Sequence, residues 1–208
     1  MWKPEVRSTS TSKAFEIVVI TAEGSVSEEA ATCQALLEGG LRTLHIRKPH
    51  ASIAEVQALI REIDPDFRDR LIVHEHHELV NEMNLGGYHI KSHGKTPVDT
   101  QGKHVSRSFH DFEEIGSYAQ TLHYGFLSPI FHSLSKSGYK SGFSMESLKV
   151  FLSNTLRFPV YALGGVSTEN VSLAKSLGFR GAAVLGNIWQ QPSVSDRLTQ
   201  YKHLIDQV

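Results

Sequence analysis

One cysteine, Cys33, is all that 208 residues contain, so neither an internal disulfide nor a thiolate metal cluster can be built, and no oxidising compartment is implied. Excess charge is missing too: 21 Lys+Arg stand against 22 Asp+Glu, a formal net charge of −1. That balance removes the electrostatic footprint of a wholesale nucleic-acid or membrane-surface binder and makes a small molecule the default partner. Long apolar runs are also absent, since residues 17–20 fall far short of the ~20 needed to cross a bilayer. Residues 1–13 hold no apolar stretch of the signal-peptide kind and read as a polar lead-in, so the expected address is the cytoplasm. With no repeat, linker or low-complexity stretch in view, one domain over 1–208 is expected. A homo-oligomer stays open.

What is present alternates. Short apolar, often β-branched runs at 15–21, 43–46, 71–74, 88–90, 104–106, 124–127, 160–163 and 182–185 read as eight buried strands. Between most of them apolar residues recur every three to four positions, as in Ala30, Cys33 and Leu37, or Val171, Ala174 and Leu177, which is the helical period. Ser52 with Glu55, and Asp111 with Glu114, have capping-box spacing and mark helix starts. Eight β/α units predict a (β/α)8 TIM barrel, with an open doubly wound sheet as the alternative. Residues 91–103 are too polar and too rich in turn formers for a full fourth helix, so that element is expected to be abbreviated.

In a barrel the chemistry sits at the C-terminal ends of the strands. His45, Arg47 and Lys48 follow strand two; His74, Glu75, His76 and His77 follow strand three; Arg107, Ser108 and His110 follow strand five; Ser133, Ser135 and Lys136 follow strand six. Strands seven and eight end in Gly164-Gly165 and in Gly186, where a backbone without Cβ can point N–H groups at an anion. A plain tight turn is the competing reading of the glycine pair. Ser167, Thr168 and Glu169 look like the start of the following helix. Arg47 and Lys48 suit an anion clamp, against ordinary surface pairing. His74 and His76 would alternate onto one face as metal ligands, against a merely polar cluster, and His89 reads as a satisfied core histidine. His110 precedes a capping box at the mouth, and an imidazole titrating near ~6.5 suits proton transfer, against a solvent-facing loop histidine. Residues 133–142 read as a mobile lid that carries Lys136.

With these residues in view, the chain resembles the thiamine phosphate synthase/TenI family from about residue 17 to residue 188. The resemblance is carried by Leu44-His45-Ile46-Arg47-Lys48, Leu71-Ile72-Val73-His74-Glu75, Val105-Ser106-Arg107-Ser108-Phe109-His110, the run from Leu127 to Lys136, Ala162-Leu163-Gly164-Gly165-Val166 with Asn170, and the run from Gly181 through Leu185 to Gly186. It implies the same barrel and one of two reactions. A synthase ionises a pyrimidine pyrophosphate, Mg²⁺ takes up the departing charge, and a thiazole nitrogen captures the cation. A TenI-like tautomerase moves a proton on a dihydrothiazole carboxylate phosphate.

Several positions depart from the synthase pattern. His45-Ile46-Arg47-Lys48-Pro49 replaces Gln-x-Arg-x-Lys, His74-Glu75 replaces Asn-Asp, and a second metal-binding Asp falls at Gly94 with no carboxylate before Asp99. Arg107-Ser108-Phe109-His110 is closer to the TenI pattern. The expectation is therefore a TenI-like tautomerase with no cofactor. In it thiazole phosphate sits on Gly164, Gly165 and Gly186 beside Leu185, Arg47 or Lys136 meets the carboxylate, and His110 shuttles the proton. His45, Lys48, His74, Arg107, Ser133 and Ser135 join the binding set. The alternative is a Mg²⁺-dependent synthase using Glu75, Lys136 and Ser108, with pyrimidine pyrophosphate as second substrate. The third reading is a non-catalytic thiazole-phosphate-binding module.

Overall fold

Eight parallel strands close into a barrel in the order β1 to β8, each hydrogen-bonded to its sequence neighbours and β1 to β8. The computed structural model describes residues 14–94, 100, 102–120, 122–131 and 142–208. The strands are β1 Glu16–Ile20, β2 Leu44–Ile46, β3 Leu71–Val73, β4 Gly87–Ile90, β5 His104–Phe109, β6 Tyr124–Leu127, β7 Val160–Leu163 and β8 Gly181–Val184. The outer layer comprises α1 Glu29–Glu38, α2 Ile53–Arg61, α3 Leu79–Glu82, α4 Phe112–Ser117, α5 Met145–Leu152, α6 Val171–Leu177, α7 Gly186–Trp189 and α8 Val194–Asp206. No described residue between β4 and β5 is helical, as the polar 91–103 segment predicts. Among the described residues no helix is long and apolar enough to cross a membrane.

Side chains alternate across each strand, and the alternation sorts the core into two compartments. Val19, Leu44, Ile46, Leu71, Val73, Tyr88, Ile90, Val105 and Phe109 face outward into the layer shared with the helices. Val18, Ile20, Tyr124, Phe126, Tyr161 and Ala183 fill the barrel interior from β1, β6, β7 and β8. From β2 to β5 the interior is mostly polar: His45, His74 just past β3, His89 and Ser106 are all buried, with Ile72 the apolar exception on β3.

Local signals place the helices. Ser52 Oγ accepts from Glu55 N while Glu55 returns the bond to Ser52 N, a complete capping box. At α4 the box is only half formed, for Asp111 accepts from Glu114 N but the Glu114 carboxylate takes the His110 N–H at 2.8 Å. Ser167 does not open α6. That helix starts after Asn170, whose side chain makes no capping hydrogen bond, and the preceding residues form a turn. α7 is anchored under the barrel rim by Trp189, whose indole N–H donates to Ile20 O at 2.7 Å and so fixes Gly186 beside β1.

Candidate active site at the barrel mouth

A cavity of about 590 Å³ opens at the C-terminal ends of the strands, within the range that holds drug-sized ligands. Arg47, His74, Ser108, His110, Gly164, Gly165, Leu185 and Gly186 all line it, so eight of the sequence candidates share one wall system. Glu23, Lys91, Ser128, Asn187 and Gln190 line it as well and were missed. Their signal was position alone, since Lys91 and Glu23 lie one and three residues beyond β4 and β1.

Alternation decides which candidates reach the cavity. Arg47 shares parity with the inward His45, and Thr21 fixes its backbone: the hydroxyl accepts from Arg47 N at 2.8 Å and donates to Arg47 O at 3.2 Å. Its guanidinium pairs with Glu23 at the rim. Lys48 has the opposite parity and is a correction to the expected clamp. Its ammonium is buried against Glu29 on α1, at 2.6 and 2.7 Å from the two carboxylate oxygens, and donates to Gly24 O at 2.8 Å. Lys48→Met should therefore lower unfolding free energy by about 3 kcal/mol, because a buried charge is left without its partner. Burial already raises the Glu29 carboxyl, which eases its neutralisation. Urea titration reads this out, and the double variant with Glu29→Leu should recover much of the loss. Unchanged stability with lost ligand binding would return Lys48 to the clamp.

Arg107 is the second correction, again by parity. It faces outward between Val105 and Phe109, donates to Ser92 O and to Gly94 O (2.8 Å), and covers the Tyr118 ring at 5.1 Å. It straps the β4–β5 connection instead of touching the cavity. His45 is corrected too: it lies inside the barrel at 0% exposure, beneath the cavity wall. His76 does not join His74, for its backbone turns into the left-handed region (φ 54°) and its Nε2 meets Ala51 O at 2.9 Å. His77 Nε2 lies 3.3 Å from His89 O. Ser133, Ser135, Lys136 and the expected lid fall outside the described residues.

His89 and Ser108 are coupled, with Nε2 to Oγ at 2.9 Å, while His89 Nδ1 meets Ser106 Oγ at 2.9 Å. His45 Nδ1 lies 2.8 Å from His74 Nε2, and His45 Nε2 lies 2.5 Å from Tyr124 OH. Burial is the main cause holding all three imidazoles neutral: His89 falls to about 3, and His45 and His74 lie well below the ordinary histidine range. His110 is different. It is exposed, and its Nδ1 meets the Ser128 carbonyl at 3.1 Å. A carbonyl only accepts, so Nδ1 carries the proton of the neutral ring and Nε2 keeps a lone pair.

The glycine wall is built for backbone exposure. Gly164 and Gly165 have φ of 94° and 69°, and a Cβ on Gly164 would stand 3.0 Å from Pro129 Cα, so the turn requires glycine there. Asn170 secures it by donating to Gly165 O and accepting from Ser167 N, both at 2.9 Å. Gly186 is not forced in this way, because its Cβ would meet nothing nearer than Gln190 at 3.5 Å.

Of the described carboxylates at the mouth, Glu23 already pairs with Arg47, and Glu75 is the one the family-implied Mg²⁺ would use. Glu75 Oε2 accepts from Lys48 N at 3.1 Å, while its buried Oε1 accepts no hydrogen bond and has the Lys91 ammonium, on a largely exposed side chain, at 3.2 Å. A site of one carboxylate completed by water and substrate phosphate is the lower limit of what Mg²⁺ accepts, and Glu75 meets it.

Known proteins share the sequence pattern and the fold. A thiamine-phosphate synthase of Bacteroides fragilis is 26% identical over 172 residues, covering 75% of this chain and 83% of its own, and one of Yersinia pestis is 27% identical over 183 residues, covering 83% and 85%. The crystal structure of thiamine phosphate pyrophosphorylase from Bacteroides thetaiotaomicron superposes with a TM-score of 0.80 at 28% identity, over 93% of this chain and 97% of that one. The Pyrococcus furiosus enzyme of the same name, at 16% identity and a TM-score of 0.72, shares the fold. These relatives carry the synthase name, which does not support the tautomerase preference drawn from the motif departures. The family model described as thiamine monophosphate synthase matches residues 17–188, and with the closed barrel and its glycine-walled mouth this chain belongs to that family.

Proposed function

We propose that this chain joins a pyrimidine pyrophosphate to a thiazole phosphate at the barrel mouth, releasing thiamine phosphate and pyrophosphate in the cytoplasm. The observation that carries the reading is a cavity lined by both glycine backbone and cationic side chains. Gly164, Gly165 and Gly186 offer backbone to one phosphate, and Arg47 and Lys91 offer cations to the other. In the coupling, the carbon–oxygen bond to pyrophosphate breaks with its electron pair leaving on oxygen, and the thiazole nitrogen lone pair forms the new carbon–nitrogen bond. Arg47, held by Thr21, meets the charge that develops on the leaving group. Mg²⁺, where bound, would be held by Glu75 and would neutralise pyrophosphate charge.

A second reading rests on His110. The free Nε2 left by the Ser128 hydrogen bond is a base at the mouth, which an aromatising proton shift requires and the coupling does not. Incubation with each substrate set, with and without Mg²⁺, separates the two. The coupling reading expects thiamine phosphate, whereas aromatised thiazole without coupling would install the tautomerase.

Gly186→Val tests the phosphate wall. Because the local backbone has room for the side chain, the fold should persist while the KM for thiazole phosphate rises at least ~10-fold. An unchanged KM would move the anion elsewhere.

A further inference from the structure

We propose that His45, His74 and His89 form a three-imidazole site for a zinc-class divalent cation at the floor of the mouth cavity. The three residues come from β2, the end of β3 and β4, and one ring nitrogen from each lies within 4.8 Å of the others. Two nitrogens on one tetrahedral zinc, each ~2.05 Å from the ion, stand ~3.3 Å apart, so the observed 2.8 Å between His45 and His74 needs a separation of only about half an ångström. Imidazole nitrogens select zinc-class ions over Mg²⁺, which prefers oxygen, so the site is distinct from Glu75. It is independent of the coupling reaction.

The surroundings are those of a ligand set. Tyr124 stands behind His45, and of the two serine hydroxyls at His89, those of Ser106 and Ser108, one remains as the outer partner of the ring while the other yields its nitrogen to the ion. The rings are neutral and their lone pairs need not be released from protons at neutral pH. In the bound form His45 holds its proton on Nε2 and donates to the Tyr124 oxygen, the Tyr124 hydroxyl proton turns to Ser106, and His74 holds its proton on Nδ1. No proton is lost. His74, His89 and Ser108 line the cavity, so the fourth position faces the mouth and is open to water or a ligand oxygen.

Chelator-stripped protein titrated with Co²⁺ tests this, since cobalt reports its own coordination in the visible spectrum. The expected result is one ion per chain with a four- or five-coordinate nitrogen-ligand spectrum. Tyr124→Phe should weaken binding about 10- to 100-fold and His89→Ala by more. Uptake well below one ion per chain, or a spectrum and affinity untouched by His89→Ala, would overturn the site. Should His89→Ala fail to fold, anomalous diffraction at the zinc edge from wild-type crystals grown with one equivalent of Zn²⁺ decides. A peak among the three rings supports the proposal, and a peak at other histidines, or none, rejects it.

Discussion

Acidification from pH 6.5 to pH 5 should remove on the order of 5 kcal/mol of folding stability, measured by urea titration with a chelator present. His45, His74 and His89 are all held neutral by burial, and His89 has fallen to about 3. In the unfolded chain each titrates near ~6.5, so below that value the unfolded state binds protons that the native state refuses, and stability falls as pH falls. The slope is about 1.4 kcal/mol per pH unit for each histidine, or about 4 for the three. Against a total of ~5–15 kcal/mol for a typical domain, that suffices to bring unfolding to mild acid. Above about pH 8 the three contribute almost no slope, because both states are then neutral. His89→Gln should reduce the slope by about a third, and a flat profile between pH 6.5 and 5 would mean the rings are solvated.

Arg47→Met should lower turnover by about 10²–10³-fold, the usual consequence of removing one preorganised donor to a developing anion. The side chain lines the cavity, its backbone is held at both N–H and C=O by Thr21, and its charge pairs with a rim carboxylate that a pyrophosphate can displace. The kinetics should show the loss mainly in kcat, with urea stability close to wild type. Its neighbour provides the contrast: Lys48→Met should lose stability and retain turnover at permissive temperature, because Lys48 reaches Glu29 and not the cavity. If the two variants exchange phenotypes, the assignment of the anion wall is wrong.

The barrel was legible because its strands are short apolar runs at regular intervals with helical patterns between them, and both signals are local. The mouth was legible in part. Reading every residue just past a strand gathered both side-chain parities, and so combined Arg47 and His110 with Lys48 and Arg107. Counting twos from Leu44 and Val105, both outward-facing, separates them, and that signal lay in the sequence unused. The histidine site was illegible for a different reason. The metal reading paired His74 with His76, two residues apart, whereas the partners of His74 are His45 and His89 on neighbouring strands. Their meeting depends on register, with His45 opposite Ile72 and Val73 opposite Tyr88, which the pattern of apolar residues does not specify. His76 was lost to a left-handed backbone turn that the sequence does not mark.

The central claim, that the mouth couples two phosphorylated substrates, is tested most directly by one measurement: purified protein with thiazole phosphate, pyrimidine pyrophosphate and Mg²⁺, followed for thiamine phosphate and released pyrophosphate. Equal amounts of the two products, lost on omission of Mg²⁺ and strongly reduced in Arg47→Met, are the predicted result. No thiamine phosphate under these conditions, from protein that still binds thiazole phosphate and aromatises its dihydrothiazole carboxylate precursor, would contradict it.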